Sequence, residues 1–126
     1  MAVLGRGALI LLVEDEPLLR MATHDDLLAA GFAVIEAADA DQAIAILQCR
    51  SDIEAVFTDI DMPGSMNGLR LAAVIRNRWP PIKLIVTSGH RKPQPGDLPA
   101  GVPFLTKPYA PERMVSALRD ILMEQR

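Results

Sequence analysis

One cysteine, Cys49, is the whole thiol content of the chain. No internal disulfide framework can hold it, and such sparing use suits a reducing compartment. Cys49 itself is expected as a small, partly buried helix residue. There is no run of Lys or Arg, and the formal net charge is -3. Phosphate contacts need clustered cations, so nucleic acid is not expected as a direct partner. No stretch approaches membrane-spanning length. The apolar run at residues 8–13 is short and gives way at once to Glu14-Asp15-Glu16, which does not suit a signal peptide. A cytoplasmic protein with no membrane partner is expected. Neither His24 nor His90 has a companion at metal-site spacing, and both are expected to be solvated. Gly5-Arg6-Gly7 precedes a strand and does not lead from a strand into a helix, so a phosphate-cradling glycine loop is lacking too. Repeats, low-complexity tracts and linkers are also missing. With 126 residues, half of them apolar, one domain over 1–126 with a real core is expected.

What the chain does have is alternation. Residues 8–13 form a continuous apolar run, as in a central strand covered on both faces. Pro17 suits the first turn of a helix that Gly31 should stop. A second strand is expected at 32–37. A helix capped by Asp39 or Asp41 follows, with Ala40, Ala43, Ile44 and Leu47 on one face. The third strand, 55–58, runs into Asp59 and a Pro/Gly/Asn-rich turn. The next helix starts near Leu69, shows Leu71, Ile75 and Trp79 on one face, and must end at Pro80-Pro81. A fourth strand at 82–86 is closed by Thr87-Ser88-Gly89. Pro93, Pro95, Pro99 and Pro103 then make a multi-turn helix untenable before the short strand 104–106. The last helix begins near Pro111 and carries the stripe Met114, Ala117, Leu118, Ile121 and Leu122.

Strands and helices alternating in this way imply a parallel sheet with right-handed crossovers and helices on both faces. The strand ends then hold Glu14 and Asp15, Asp59, Thr87 and Lys107, all on the rim where open α/β sheets bind ligands. Singly, each has a plainer reading: Asp59 as the start of an Asx turn, Thr87 as a strand-end residue, Lys107 as a surface charge. Together they make a constellation.

Val13-Glu14-Asp15, Asp59-Ile60-Asp61-Met62-Pro63 with Gly68, Thr87 after an apolar strand, and Phe104-Leu105-Thr106-Lys107-Pro108 resemble the response-regulator receiver domain of two-component signalling. The likeness covers essentially the whole chain. It implies a flavodoxin-like, doubly wound five-stranded parallel sheet of order 2-1-3-4-5, here with the fourth helix shortened or lost. Crowded carboxylates call for a cation. Mg2+ (or Mn2+) takes one or two carboxylates beside phosphate oxygens, matching Asp15 and Asp59 as direct ligands. The resemblance adds the backbone carbonyl of Asp61 and, through water, Glu14. It makes Asp59 the acceptor of a phosphoryl group from a phosphohistidine on a histidine kinase or histidine phosphotransfer protein, assisted by Lys107 and Thr87. Thr87 and Phe104 match its switch positions. A cis Lys107-Pro108 bond is expected. Residues 91–103 are expected to be an irregular, mobile loop that orders on phosphorylation.

Two other readings remain. Asp59-Ile60-Asp61 also resembles the Asp-x-Asp opening of haloacid-dehalogenase-like phosphatases. There the motif ends the first strand of the domain, and a cap covers the substrate. The other is a receiver-like binding module that works without phosphorylation, against which the intact acidic pair, acceptor, hydroxyl and lysine argue.

Overall fold

The structure, a computed structural model, describes residues 7–89, 92–94 and 96–123. Its elements are β1 Leu9–Val13, α1 Pro17–Ala29, β2 Ala33–Ala37, α2 Ala40–Cys49, β3 Ala55–Asp59, α3 Gly68–Arg78, β4 Lys83–Ser88, β5 Phe104–Thr106 and α4 Pro111–Met123. The five strands form one sheet in the order β2-β1-β3-β4-β5, parallel throughout, as expected.

The two-residue side-chain period of the strands divides the core into two layers. Ile10, Leu12, Ala55, Phe57, Ile85 and Leu105 pack with Leu27 of α1 and with Met114, Leu118 and Ile121 of α4. Leu11, Val13, Val56, Leu84 and Val86 face the other way, onto Ala43 and Leu47 of α2 and Leu71, Ala72 and Ile75 of α3. β3 is buried along its whole length, which is why its residues are apolar up to Thr58.

The helix ends follow the sequence signals. Gly31, at φ 96°, closes α1 in a Schellman turn: its N–H donates to Leu28 O and the Phe32 N–H to Leu27 O. Asp39 caps α2 through a bond from the Gln42 N–H, while Asp41, the other candidate, accepts from the Ser65 hydroxyl. α3 starts at Gly68, one residue earlier than expected, because Asn67 caps it by accepting from the Arg70 N–H. Trp79 serves as its C-cap.

The proline-rich connection between β4 and β5 contains no helix among its described residues. Turns at Asp97 N–H to Gln94 O and Val102 N–H to Pro99 O replace it. Leu98 and Val102 still pack against the core. His90, Arg91 and Pro95 lie outside the described residues, and so do the expectations that fell on them. Cys49 is a correction: as the last residue of α2 it is exposed, not partly buried. No helix among the described residues is long and apolar enough to cross a membrane.

Candidate functional site

The site is built on the carboxyl ends of β1, β3, β4 and β5, with β1 and β3 at the point where the strand order reverses. Past β1, the Glu14 N–H donates to Ala37 O and prolongs the pairing with β2. Its side chain is only 4% exposed and accepts from the Glu16 N–H at 3.1 Å through Oε2. Asp15, next along, is more exposed than Glu14. Asp59 is the last residue of β3 and is 5% exposed. Strand β3 therefore runs one residue further than expected, and β4 takes in both Thr87 and Ser88. Asp59 and Thr87 are register partners.

Lys107 arrives from the far side of the sheet. Its N–H is anchored to Ser88 O at 3.0 Å, and the Lys107-Pro108 peptide that follows is cis, as expected. The ammonium Nζ lies 3.0 Å from Asp59 Oδ2 and 3.3 Å from Glu14 Oε1. The other Asp59 oxygen, Oδ1, accepts from the Asp61 N–H at 3.3 Å. Asp61 in turn accepts from the Ser88 hydroxyl at 2.8 Å. Thr87 Oγ1 is buried and has no hydrogen-bond partner among the described residues. Phe104 sits half-buried at the start of β5, against the α2/α3 side of the core.

Carboxylate oxygens of Glu14, Asp15 and Asp59 lie within 4.8 Å of one another. At that range like charges repel strongly, the more so in a partly buried rim. The effect is visible on Glu14. Burial raises its carboxyl pKa above the ordinary value, the Glu16 N–H opposes this, and the charge of Asp59 adds to the rise against the pull of Lys107. For Lys107, burial acts downward, but the bonds and charges of Asp59 and Glu14 outweigh it and hold the ammonium above its ordinary value. Among the described residues, one ammonium thus contacts two of three clustered carboxylates. These hard oxygen donors, still in charge excess, fit a divalent cation such as Mg2+. The orphaned hydroxyl of Thr87, the register partner of Asp59, fits an anionic oxygen.

A family model described as Response regulator receiver domain matches residues 10–119. The chain belongs to that family. As a receiver domain it is 32% identical, over 97% of its length, to the sensor kinase CckA of Brucella abortus. To the C4-dicarboxylate transport transcriptional regulatory protein DctD of Rhizobium meliloti it is 35% identical, over 87% of its length. It spans 13% of the first protein and 24% of the second. In three dimensions it superimposes with a TM-score of 0.87 on a response regulator receiver protein from Sinorhizobium medicae, at 27% identity, covering 92% of this chain and 94% of that one. The receiver domain of the hybrid histidine kinase CckA gives 0.77 at 29% identity, covering 91% and 99%. Receivers bind Mg2+ at an acidic site, and the acidic group here is of that kind. The family match decides against the phosphatase reading, in keeping with a β3 that is third in the chain and central in the sheet.

All the residues singled out from the sequence around this receiver's rim come together except Phe104, which starts β5 on the flank. Three participants were missed. Ser88, by its pattern only a strand closer, holds Asp61. Glu16 caps α1 by accepting from the Leu19 N–H at 2.9 Å. Arg20 donates to the backbone of Glu14 at 2.7 Å. A lone Arg amid Leu18-Leu19-Arg20-Met21, one turn into a helix, was the available signal. His24 is a correction: its Nδ1 is bonded to Glu36 Oε2 and is not simply solvated.

Proposed function

We propose that this receiver accepts a phosphoryl group on Asp59 from a phosphohistidine and passes the change to a partner. The observation that carries the reading is the 3.0 Å contact from Lys107 Nζ to Asp59 Oδ2, spanning 48 positions of sequence. The contact supports the reading because a lysine beside the acceptor carboxylate could pass to a phosphoryl oxygen.

The transfer calls for no base, because a carboxylate oxygen is itself the nucleophile. An Asp59 oxygen forms the new O–P bond while the N–P bond to the donor imidazole breaks. The electron pair of that bond returns to the ring nitrogen, which takes a proton from solvent. The product is an acyl phosphate. Lys107 follows the charge, leaving the carboxylates for a phosphoryl oxygen, and the Thr87 hydroxyl donates to another. Asp15, Asp59 and the backbone carbonyl of Asp61 would hold Mg2+ (or Mn2+), with Glu14 acting through water. Bound there, the ion supplies positive charge that offsets crowded carboxylate and phosphoryl oxygens. Thr87, drawn to the phosphoryl, is the first moving part, and Phe104 on neighbouring β5 is the second. The donor is a histidine kinase or histidine phosphotransfer protein, which puts the reaction in the cytoplasm.

Mass spectrometry after incubation with acetyl phosphate and Mg2+ tests this. One added phosphoryl on Asp59, absent in Asp59→Asn, is expected. Full labelling of Asp59→Asn overturns the assignment, and no labelling of the unaltered chain supports the phosphorylation-independent binding module instead.

A further inference from the structure

The three residues between β1 and α1, Glu14 to Glu16, are pinned on every side. The Glu14 N–H is bonded to Ala37 O, the Glu16 N–H to the Glu14 side chain, and the Glu16 carboxylate to the Leu19 N–H. Asp15, between them, has a carboxylate with no hydrogen bond to a described residue. Its direction is therefore set by its backbone. The peptide that joins it to Glu14 is planar, so fixing the Glu14 carbonyl also fixes where the Asp15 Cα points.

That carbonyl is held by Arg20. Its Nη1 donates to Glu14 O at 2.7 Å and its Nε to Glu36 Oε1 at 3.1 Å. The guanidinium side chain is 20% exposed and bridges α1 to β2. A planar fork held at one end by a carboxylate loses little freedom in gripping a second acceptor at the other. Glu36 is shared with His24, which fixes the anchor in turn.

We propose that Arg20 is a positioning residue for the cation site: through the Glu14 carbonyl it aims Asp15 at Asp59. The inference rests on the reading of Asp15 as a Mg2+ ligand. Residues behind metal ligands typically cost tenfold or more in affinity when removed. Arg20 also carries a positive charge near the acidic rim, which by itself would weaken cation binding. Removing it by Arg20→Met therefore separates aim from charge: loss of aim weakens Mg2+ binding, whereas loss of charge alone tightens it.

The test is Mg2+ titration of the metal-free chain by calorimetry, with amide hydrogen exchange measured before metal is added. Arg20→Met is expected to bind Mg2+ about tenfold more weakly and to exchange the Asp15 and Glu16 amides faster. Arg50→Met breaks a comparable Arg–carboxylate pair, to Asp52, away from the rim. It is expected to leave both readouts unchanged. Should Arg20→Met fail to fold, Glu36→Gln, which loosens the anchor and leaves Arg20 in place, is expected to shift both readouts in the same direction by less. Asp15→Ala distinguishes the two levels of the argument. If it abolishes Mg2+ binding while Arg20→Met and Glu36→Gln bind as the unaltered chain does, the role of Arg20 is overturned and the metal reading stands. If Asp15→Ala binds Mg2+ normally, the metal reading falls and this inference with it.

Discussion

Gly68→Ala tests how tightly the site is built. Gly68 opens α3, and a Cβ there would sit 1.9 Å from the Asp59 carbonyl oxygen, 2.7 Å from its carbon and 2.8 Å from the Ile60 Cα. Its φ is outside the left-handed region, so the glycine is required for space and not for backbone freedom. All three obstacles are backbone, and β3 is clamped between β1 and β4, so no rotamer change relieves them. Ordinary contact begins at 3.4 Å, so helix and strand must part by about 1.5 Å. Overpacking by a methylene in a close-packed core costs roughly 1–3 kcal/mol. A rigid backbone clash belongs at the top of that range, and the better helix propensity of alanine returns at most ~1 kcal/mol. A net loss of about 2–3 kcal/mol is expected, on the order of a 10 °C fall in Tm for a domain of this size. Because the atom displaced belongs to Asp59, acetyl-phosphate labelling should fall as well, even at temperatures where the variant is folded. Urea melts with parallel labelling measure both. A Gly68→Ala chain that melts within about 0.5 kcal/mol of the original and labels fully would refute the close approach and the argument built on it.

Lys107→Met leaves Glu14 and Asp59 without their shared cation. The metal-free chain should lose about 2–3 kcal/mol, part of which saturating Mg2+ restores; identical urea melts with and without the substitution would contradict this. Tyr109 is the single tyrosine, so ultraviolet titration reports it alone. Burial against Phe57 and its neighbours holds its pKa above the ordinary 10.0. A folded-state pKa that is raised stabilises the fold below the unfolded value and loses that contribution as pH climbs through the folded one; titration at 10.0 in the folded chain would count against it. Beryllofluoride with Mg2+ should slow amide exchange in residues 96–103, as that loop orders against the site. If exchange there is unchanged while another face responds, the loop is not the switch.

The strands and the rim were legible because three of the strands are short apolar runs that stop at a chemically distinctive residue, Val13 before Glu14, Thr58 before Asp59 and Thr106 before Lys107, whereas the strand order came only with the family resemblance. The lack of a helix among the described residues between β4 and β5 was legible too, since proline removes amide donors wherever it stands. Strand ends were less so. Asp59, Thr87 and Ser88 belong to strands because neighbouring strands supply their ladder partners, as when the Ile60 N–H bonds Thr87 O, and such partners are invisible to local pattern. Ser88 to Asp61 and Arg20 to Glu14 were missed for the same reason: each joins residues whose own neighbourhoods give no sign of the other. Cys49 went wrong because helical periodicity near a C-terminus does not say which face the final turn presents.

The double contact of Lys107 has a consequence for selectivity. In the resting state the rim already holds an internal anion at the lysine, for Asp59 and Glu14 both occupy its donors. A dissolved anion such as sulfate or inorganic phosphate must compete with carboxylates that are tethered in place and present at high effective concentration. A phosphoryl bonded to Asp59 meets no such disadvantage, because it is tethered to the same strand end and brings more charge than the carboxylate it replaces. With Asp59 as the proposed acceptor, the lysine would work as a threshold, ignoring ions in passing and yielding to one that has become part of the chain.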